Sequence, residues 1–441
     1  MSTRLYESGS DYIIKSILLK KNGASAQIRN NVVQLEIFEN IENPFLTGML
    51  YFKDDSRIFD SISFDGVEEC EIIFTQPDKS PNDISKTFIV RSVSDTKKIN
   101  DLSEAVSLYL LEKIGFDGNL DRFAQSYTGT PLEIINKIAR ERLNITIDQP
   151  SVIPVQKKMK IVIPYMTPLE SISFVMERMS TAEGLPYYLF STLNGKNLKI
   201  ASLEECLTNP AWNTNSPYRL STAFTQSKSN HNSKVDPYIV QSYNPGTDTE
   251  DTFDLILKGA VGGQFNVFDF TTGRNESKHF DIIKIFSKME SKGIIPKGFS
   301  RILETRYGTT NLESMRSLNV HRSIMVNTYE NINNYYQEDS LDLYELDMVK
   351  KAIKSIMFKS YINLKVPGTP YLTGSNQSIG RQIEYLHMNN NLDASEDANV
   401  SEEKIKDKKR SGTYVIFSAR HVFYDTRHTT HLSAVKLGDE I

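Results

Sequence analysis

The sequence predicts an α+β chain, predominantly β, made of several folding units. Short alternations of apolar and polar residues recur near both ends. Two helix starts with one capping signature lie between them, and Tyr (21) and Phe (22) abound while Trp occurs once. A period of two suits strands with one buried face, and aromatics pack well on pleated surfaces. At 441 residues the chain has room for roughly three or four domains of ordinary size.

The first hundred residues read as β. Val33, Leu35 and Ile37 alternate with Gln34 and Glu36, the pattern of a half-buried strand. After a turn at Asn43-Pro44 the chain resumes as strand from Gly48 to Phe52, with further strands expected at Cys70 to Phe74 and Thr87 to Val90. Gln76 to Asp83 holds two prolines and two aspartates and reads as loop. Short strands separated by turn signals predict a small barrel or sandwich over residues 1–100.

Residues 101–220 read as an α/β unit. Val106, Leu108 and Leu110 alternate and predict a strand. Thr130-Pro131-Leu132-Glu133 and Thr167-Pro168-Leu169-Glu170 each place Thr at an N-cap, Pro at the first helical position and Glu three residues after the cap. In such a box the Thr hydroxyl accepts from the backbone and the Glu reaches back to the cap amide. Ile134, Ile135, Ile138 and Leu143 form the apolar stripe behind the first cap; Ile172, Val175 and Met179 form the second. Tyr187 to Leu193, Asn194-Gly195 and Leu198 to Ile200 predict a hairpin, because Asn-Gly suits a type I′ turn.

From about Val235 the β pattern returns, with strands expected at Tyr238 to Val240, Asp254 to Leu257 and Phe265 to Phe270. Residues 272–354 differ in texture, rich in Asn and Ser with a helical stretch at Leu343 to Ile353, and read as an inserted, partly helical unit. Ser355 to Val366 alternates again and stops at Pro367-Gly368. Asn389 to Gly412 is polar and charged and reads as an exposed loop. Tyr414 to Phe417 and Thr429 to Val435 form a closing strand pair around Asp425-Thr426-Arg427. A second β unit is therefore split into 221–271 and 355–441.

The net charge of −4 and a pI near 6.1 argue against a dedicated nucleic-acid binder. The one basic run, Lys404 to Arg410, is diluted by Glu402, Glu403 and Asp407 and reads as a solvated loop. Cys70 and Cys206 lie far apart and read as buried free thiols, with one disulfide left open. The first residues lack the apolar core of a signal peptide, and no run approaches the roughly 20 apolar residues that span a bilayer. The expectation is a protein made in a cytoplasm, without stable membrane insertion, that leaves by no secretory route if it leaves.

Signals for chemistry are weak. His421, His428 and His431 cluster near the end, and His-x-x-His can hold a metal ion from a helix or turn. On a strand the i and i+3 side chains point to opposite faces, so ordinary histidines on the barrel surface are expected. Gly259-Ala260-Val261-Gly262-Gly263 runs into a strand, not into the Lys-Ser/Thr helix start that a phosphate loop needs. Glu68-Glu69 and Glu204-Glu205 are sequence neighbours, so neither pair faces across a scissile bond, and both read as surface charge. No residue is assigned to catalysis, a cofactor or a metal.

Several segments together resemble the baseplate central hub proteins of contractile-tailed bacteriophages. Gln34-Leu35-Glu36-Ile37-Phe38-Glu39-Asn40-Ile41, Gly48-Met49-Leu50 and Asp54-Asp55-Ser56 resemble the first tube-protein-like domain. Met166 to Ile172, with Gly184-Leu185-Pro186-Tyr187-Tyr188-Leu189-Phe190, is similar to the helix and hairpin of the second. Leu364 to Pro370 and Gly412 to Ile416, through Arg420-His421-Val422-Phe423, resemble the last barrel. Relatives with this plan occur in the hub part of type VI secretion spike proteins.

The resemblance implies a homotrimer whose subunits each carry two tube-like β-barrels, so that six barrels adapt a threefold central spike to a sixfold tail tube. The implied partners are the spike protein, the tail tube protein or a tube initiator, baseplate wedge proteins and a tape measure protein. DNA would pass through the channel, whose lining is expected to be neutral or acidic. The implied place is the virion tail baseplate, assembled in the host cytoplasm, with no cofactor and no enzymatic role. Secretion spikes carry a triple β-helix after the hub; this sequence stops at Ile441, which implies a separate spike polypeptide. The alternative is a tail-associated cell-envelope hydrolase or glycan-binding protein, which would need convergent carboxylates and aromatic platforms.

Overall fold

A computed structural model describes residues 12–220 apart from 56, 59–61, 63, 76–82, 101–102 and 156–157. Beyond these it describes 237–245, 262–269, 275–295, 321–326, 346, 349–350, 352–354, 361–372, 378–387, 407 and 410–436. The chain is predominantly β. The strand expected at Asp254 to Leu257 and most of the loop expected from Asn389 lie outside the described residues.

Seven strands come first: β1 (Ile13–Lys21), β2 (Ala24–Gln27), β3 (Val32–Asn40), β4 (Thr47–Asp54), β5 (Glu69–Thr75), β6 (Ile84–Asn100) and β7 (Ser103–Glu112). β1 and β2 are joined by Asn22-Gly23, both at positive φ, the geometry that a two-residue hairpin turn requires. The strands pair in the order β2-β1-β5-β6-β7-β4-β3. Their inward side chains, among them Ile17, Leu35, Phe52, Ile72, Phe88 and Leu108, form one core.

The middle of the chain holds α1 (Lys113–Leu120), β8 (Phe123–Gly129), α2 (Pro131–Ile138), β9 (Ile147–Asp148), β10 (Met159–Met166), α3 (Pro168–Met176), β11 (Tyr187–Phe190), β12 (Leu198–Ser202) and α4 (Leu203–Thr208). Both expected capping boxes form. Thr130 N–H donates to Glu133 at 2.8 Å and Thr167 N–H to Glu170 at 2.9 Å, while each Thr hydroxyl accepts from the Glu amide at 3.3 Å. Ile134, Ile135, Ile138, Ile172, Val175 and Met179 are buried in a core shared with β8, β10 and β12.

The last strands are β13 (Tyr218–Leu220), β14 (Ile239–Val240), β15 (Ser242–Pro245), β16 (Gly262–Asp269), β17 (Asn275–Asp281), then α5 (Ile282–Ser291), β18 (His321–Val326), β19 (Tyr361–Pro367), β20 (Gln382–Leu386), β21 (Gly412–Tyr424) and β22 (Arg427–Lys436). The strand expected at Phe265 to Phe270 is β16, which pairs with β17 and β18 in a small sheet of its own and not with the large one. Local alternation fixes that a strand forms, but its partner depends on chain segments far away. The inserted segment docks through Phe286, Met289, Val349 and Ile353, buried with Leu185 and Tyr188. At that contact Gly184 (φ +84°) lets Val349 approach to within 3.0 Å of where a Cβ would sit.

The second β unit repeats the strand order of the first. Outward from the long terminal hairpin, the first runs β5-β6-β7-β4-β3 and the second β20-β21-β22-β19-β15. The registers agree. Val90 faces Leu110, Leu50 faces Leu108 and Leu35 faces Leu50; in the second unit Ile416 faces Ala434, Leu364 faces Leu432 and Tyr243 faces Leu364. The sixth strand differs, since β1 is antiparallel to β5 whereas β13 is parallel to β20. The two units are fused edge to edge by antiparallel pairing of β3 with β21, which makes one large sheet. Among the described residues no helix is long and apolar enough to cross a membrane.

Candidate functional site

The fused seam is the best-built polar region of the molecule. In β3, Leu35 and Ile37 point into the first core, so Glu36 points to the other face, where pleating alone would leave it in water. Instead Arg420 of β21 covers it, donating at 2.7 and 3.1 Å to its two carboxylate oxygens, and Glu36 is 2% exposed. A fork of this kind fixes orientation as well as adding charge-assisted strength.

Three residues further along β3 the buried Glu39 accepts from the backbone amide of Leu193 and lies 3.4 Å from His421 Nε2. His421 Nδ1 is 3.1 Å from His428 Nε2, and the Thr430 hydroxyl lies within 3.3 Å of both ring nitrogens. Glu39 Oε2 and His421 Nε2 face each other without a hydrogen bond. Of His421 Nδ1 and His428 Nε2, one carries the proton and the other accepts it. Burial, then the neighbouring His421, pushes His428 well below the usual histidine range, so it stays neutral. The backbone of Gly368 closes over the His428 ring, and Phe423 stacks on its other side at 4.2 Å.

The histidines expected on a barrel surface are thus split. His421 and His428 are fully buried at the seam, and His431 points to the opposite face of β22. The surface expectation fails for the first two because they lie on the core-facing side of β21 and β22, the side that Phe423 and the facing Ile37 also occupy. They form a line with Glu39 and do not converge on one point; among the described residues no three His, Cys, Asp or Glu side chains are placed to hold a metal ion.

A second polar cluster ties the α/β unit to the first β unit. Glu112, at the end of β7, accepts from the Leu46 amide at 2.8 Å, from Ser191 at 3.0 Å and from Lys86 at 3.1 Å; Lys86 also donates to the Gly195 carbonyl at 2.8 Å. Ser191, Leu193, Asn194 and Gly195 belong to the loop between β11 and β12. Asn194 donates to the Tyr371 carbonyl of the second unit. The expected hairpin forms, but neither Asn194 nor Gly195 has positive φ, so its turn is not type I′. The loop is wider and its polar groups are used to lock both β units together. Sequence reasoning missed Glu39, Lys86 and Glu112. The available signal was an acidic residue closing an otherwise apolar strand.

The paired acids separate as expected, yet Glu68 is buried and not surface charge: it accepts from the Asp65 and Gly66 amides and pairs with Lys21 at 3.1 Å. Glu205 accepts from the Ser151 amide and pairs with Lys199 at 3.4 Å. Cys70 and Cys206 are free and buried in different cores. A cavity of about 320 Å³ beside α3 is lined by Phe45, Met166, Leu169 and Phe174, and the Glu170 carboxylate at its rim is engaged in capping Thr167. These clusters accept, donate and neutralise within the fold; their chemistry is that of fixed joints.

The sequence matches no family profile and no curated protein. Among solved structures the chain is similar to the tail protein from Neisseria meningitidis MC58, with 12% identity, TM-score 0.53, and coverage of 97% of this chain and 98% of that one. It is also similar to the 43 kDa tail protein of prophage MuSo2 from Shewanella oneidensis, with 12% identity, TM-score 0.51, and coverage of 97% and 100%. The chain therefore shares the fold of these two tail proteins along nearly its whole length.

Proposed function

We propose that this protein is the structural hub of a contractile phage-tail baseplate, a homotrimer that adapts a threefold central spike to a sixfold tail tube. The observation that carries the reading is the repeat of one five-strand order, in matching register, with the copies fused by β3 and β21. Three such chains hold six similar β units, so a threefold assembly presents a nearly sixfold face. Likeness in fold to two tail proteins, one of them from a prophage, over nearly their full lengths supports a place in a tail.

The domain reading keeps two tube-like units, from 1–100 and from 221–271 with 355–441, an α/β unit from 101–220 and an insertion from 272–354. Strand pairing requires two shifts: β7 (Ser103–Glu112) goes with the first unit, and β16 (Gly262–Asp269) with β17 and β18 of the insertion. The role is architectural and non-catalytic, in a virion baseplate, with spike, tube or tube initiator, wedge and tape measure proteins as neighbours. The mild net charge of −4 suits a channel that DNA crosses without being held. The test is the solution mass by light scattering, followed by image averaging. A species of three times 50.2 kDa forming a six-lobed ring is expected. A chain that stays monomeric even with candidate spike and tube proteins, or that cleaves peptidoglycan, would overturn it.

A further inference from the structure

The dipeptide Asn-Gly occurs twice in the chain, at Asn22-Gly23 and at Asn194-Gly195. It is the pairing in which an Asn side-chain amide is most easily lost without an enzyme. The backbone nitrogen of the following residue attacks the side-chain carbonyl carbon. Glycine, having no Cβ, neither blocks that approach nor resists the backbone rotation it needs. The two copies stand in opposite surroundings.

At Asn22-Gly23 the reacting groups are open. Asn22, Gly23, Ala24 and Ser25 are all exposed at the tip of the β1–β2 hairpin, and among the described residues nothing lies within 4 Å of a Cβ placed on Gly23. Strand pairing closes at Lys21 and Ala24, so the Gly23 amide stands outside the ladder. Asn22 holds a φ of +48°, and attack requires its backbone to swing out of that left-handed geometry. The open space around the tip leaves room for the swing.

At Asn194-Gly195 each reacting group is in use. The nucleophile, the Gly195 amide, donates to the Thr192 carbonyl at 3.1 Å. The leaving group, the Asn194 side-chain amide, donates to the Tyr371 carbonyl of the second β unit. A Cβ on Gly195 would overlap the Thr192 hydroxyl, so the loop is packed where the tip of the β1–β2 hairpin is bare.

We propose that Asn22 is a site of spontaneous modification in the folded protein, and that Asn194 is shielded from the same reaction. The Gly23 nitrogen bonds to Cγ of Asn22 and the Cγ–Nδ2 bond breaks. Ammonia leaves, carrying the proton that the Gly23 amide gives up. Water then adds to either carbonyl of the cyclic imide: opening at one leaves an aspartate, and opening at the other an isoaspartate, whose main chain runs through the side-chain carbon. Both products place a carboxylate next to Lys21, which already pairs with Asp65 and Glu68. The isoaspartate also lengthens a turn whose two residues match the twist of the flanking strands, and so loosens the closure at Lys21 and Ala24. This chemistry is intrinsic to the chain and does not depend on the hub reading.

The test is timed incubation of the full-length chain in warm, mildly alkaline buffer, folded and in urea. Peptide mapping by mass and an isoaspartyl methyltransferase assay follow the products. In the folded chain the peptide holding Asn22 is expected to convert, with isoaspartate appearing, while the peptide holding Asn194 stays intact. In urea both should convert at similar rates, faster than Asn22 does when folded, because the turn no longer has to open first. Asn22→Gln, whose longer side chain cyclises far more slowly, should remove the signal from the folded chain. If Asn22 stays as intact as Asn194 in the folded chain while both convert in urea, the hairpin protects its own tip and the proposal fails. Equal conversion of both sites in the folded chain would overturn the shielding of Asn194.

Discussion

Arg420 on β21 grips Glu36 on β3 with two hydrogen bonds, 2.7 and 3.1 Å long, and this fork is the charged link of the strand pair that fuses the two β units. Glu36 is almost wholly buried while the Arg420 side chain keeps 45% of its surface in water, so the pair is open to solvent on one side only. Arg420→Ala leaves the buried carboxylate without its counter-charge and with Gln34 Nε2 still donating to it, and a loss of about 2 kcal/mol is expected, in the range for hydrogen bonds to charged groups. Adding Glu36→Gln should return part of it. A double-mutant cycle by urea unfolding checks this; a coupling below about 0.5 kcal/mol would make the fork an ordinary surface pair.

Gly368 is expected to tolerate no side chain. A Cβ there would stand 2.2 Å from the His428 ring, which Phe423 and Thr430 hold from the other sides. Gly368→Ala should lower stability by about 1–3 kcal/mol, as overpacking does. Combining it with His428→Ala should relieve the clash. Thermal melts of the single and double variants decide it: if the double is no better than the sum of its parts, His428 is not the obstacle.

The two thiols should be silent in the native protein. Burial pushes both Cys70 and Cys206 up to about 12, leaving almost no thiolate at pH 8. A thiol-reactive dye is expected to label neither residue under native conditions and both in denaturant. Fast native labelling of one would mean that its core opens readily.

Much of the framework is legible in local sequence because its causes are local. Thr130 and Thr167 form their capping boxes as spelled, since every atom involved lies within four residues. Two-residue turns behave alike: Asn22-Gly23 and Asp425-Thr426 both take positive φ between paired strands. Asn194-Gly195 carries the same turn signal yet does not make that turn, because Glu39, Lys86 and Tyr371, distant in sequence, claim the loop around it. Of the alternating Val33, Leu35 and Ile37, the last two enter the first core, while Val33 is exposed because a bulge between Val32 and Gln34 shifts the face. The alternation cannot show that the second unit covers Glu36 on the other face, nor that Glu39, on the core face, is buried against His421 and the Leu193 amide. The matching registers of the two units are likewise carried by backbone pairing, where Leu50 and Leu364 correspond but Glu112 and Lys436 do so with opposite charge.

Stability should fall as pH drops below about 6.5, and His428 should carry part of the slope. Its folded-state pKa is pushed well below 6.5 by burial and by His421, so the unfolded chain binds the proton first. Acid therefore favours unfolding, and stability is regained as pH rises through the unfolded value. Burial also lowers His387 and His431, which act in the same direction. One such group contributes up to about 1.4 kcal/mol per pH unit. Urea unfolding from pH 5 to 7 should show a shallower dependence in His428→Gln than in the parent; equal slopes would show that His428 takes up a proton in the fold.

The Lys86–Glu112 pair should behave as a joint between units and not as a surface contact. Both side chains are about nine-tenths buried, and each has further partners: Leu46 and Ser191 for Glu112, the Gly195 carbonyl for Lys86. Lys86→Met leaves a buried carboxylate without its counter-charge, and a loss of about 3–5 kcal/mol is expected for breaking such a pair. Lys86→Met with Glu112→Gln removes the charge and keeps one acceptor oxygen for the Leu46 amide, while the Ser191 hydroxyl can turn to accept from the new NH2. The two changes together should recover much of that loss. Where the loss falls separates a joint from a local defect. If the loop between β11 and β12 locks the units, hydrogen exchange in Lys86→Met should quicken at the Leu193 amide, which Glu39 holds from the other unit's seam, as well as at Leu46. Faster exchange confined to Leu46 would mean that the first β unit and the α/β unit are held together elsewhere.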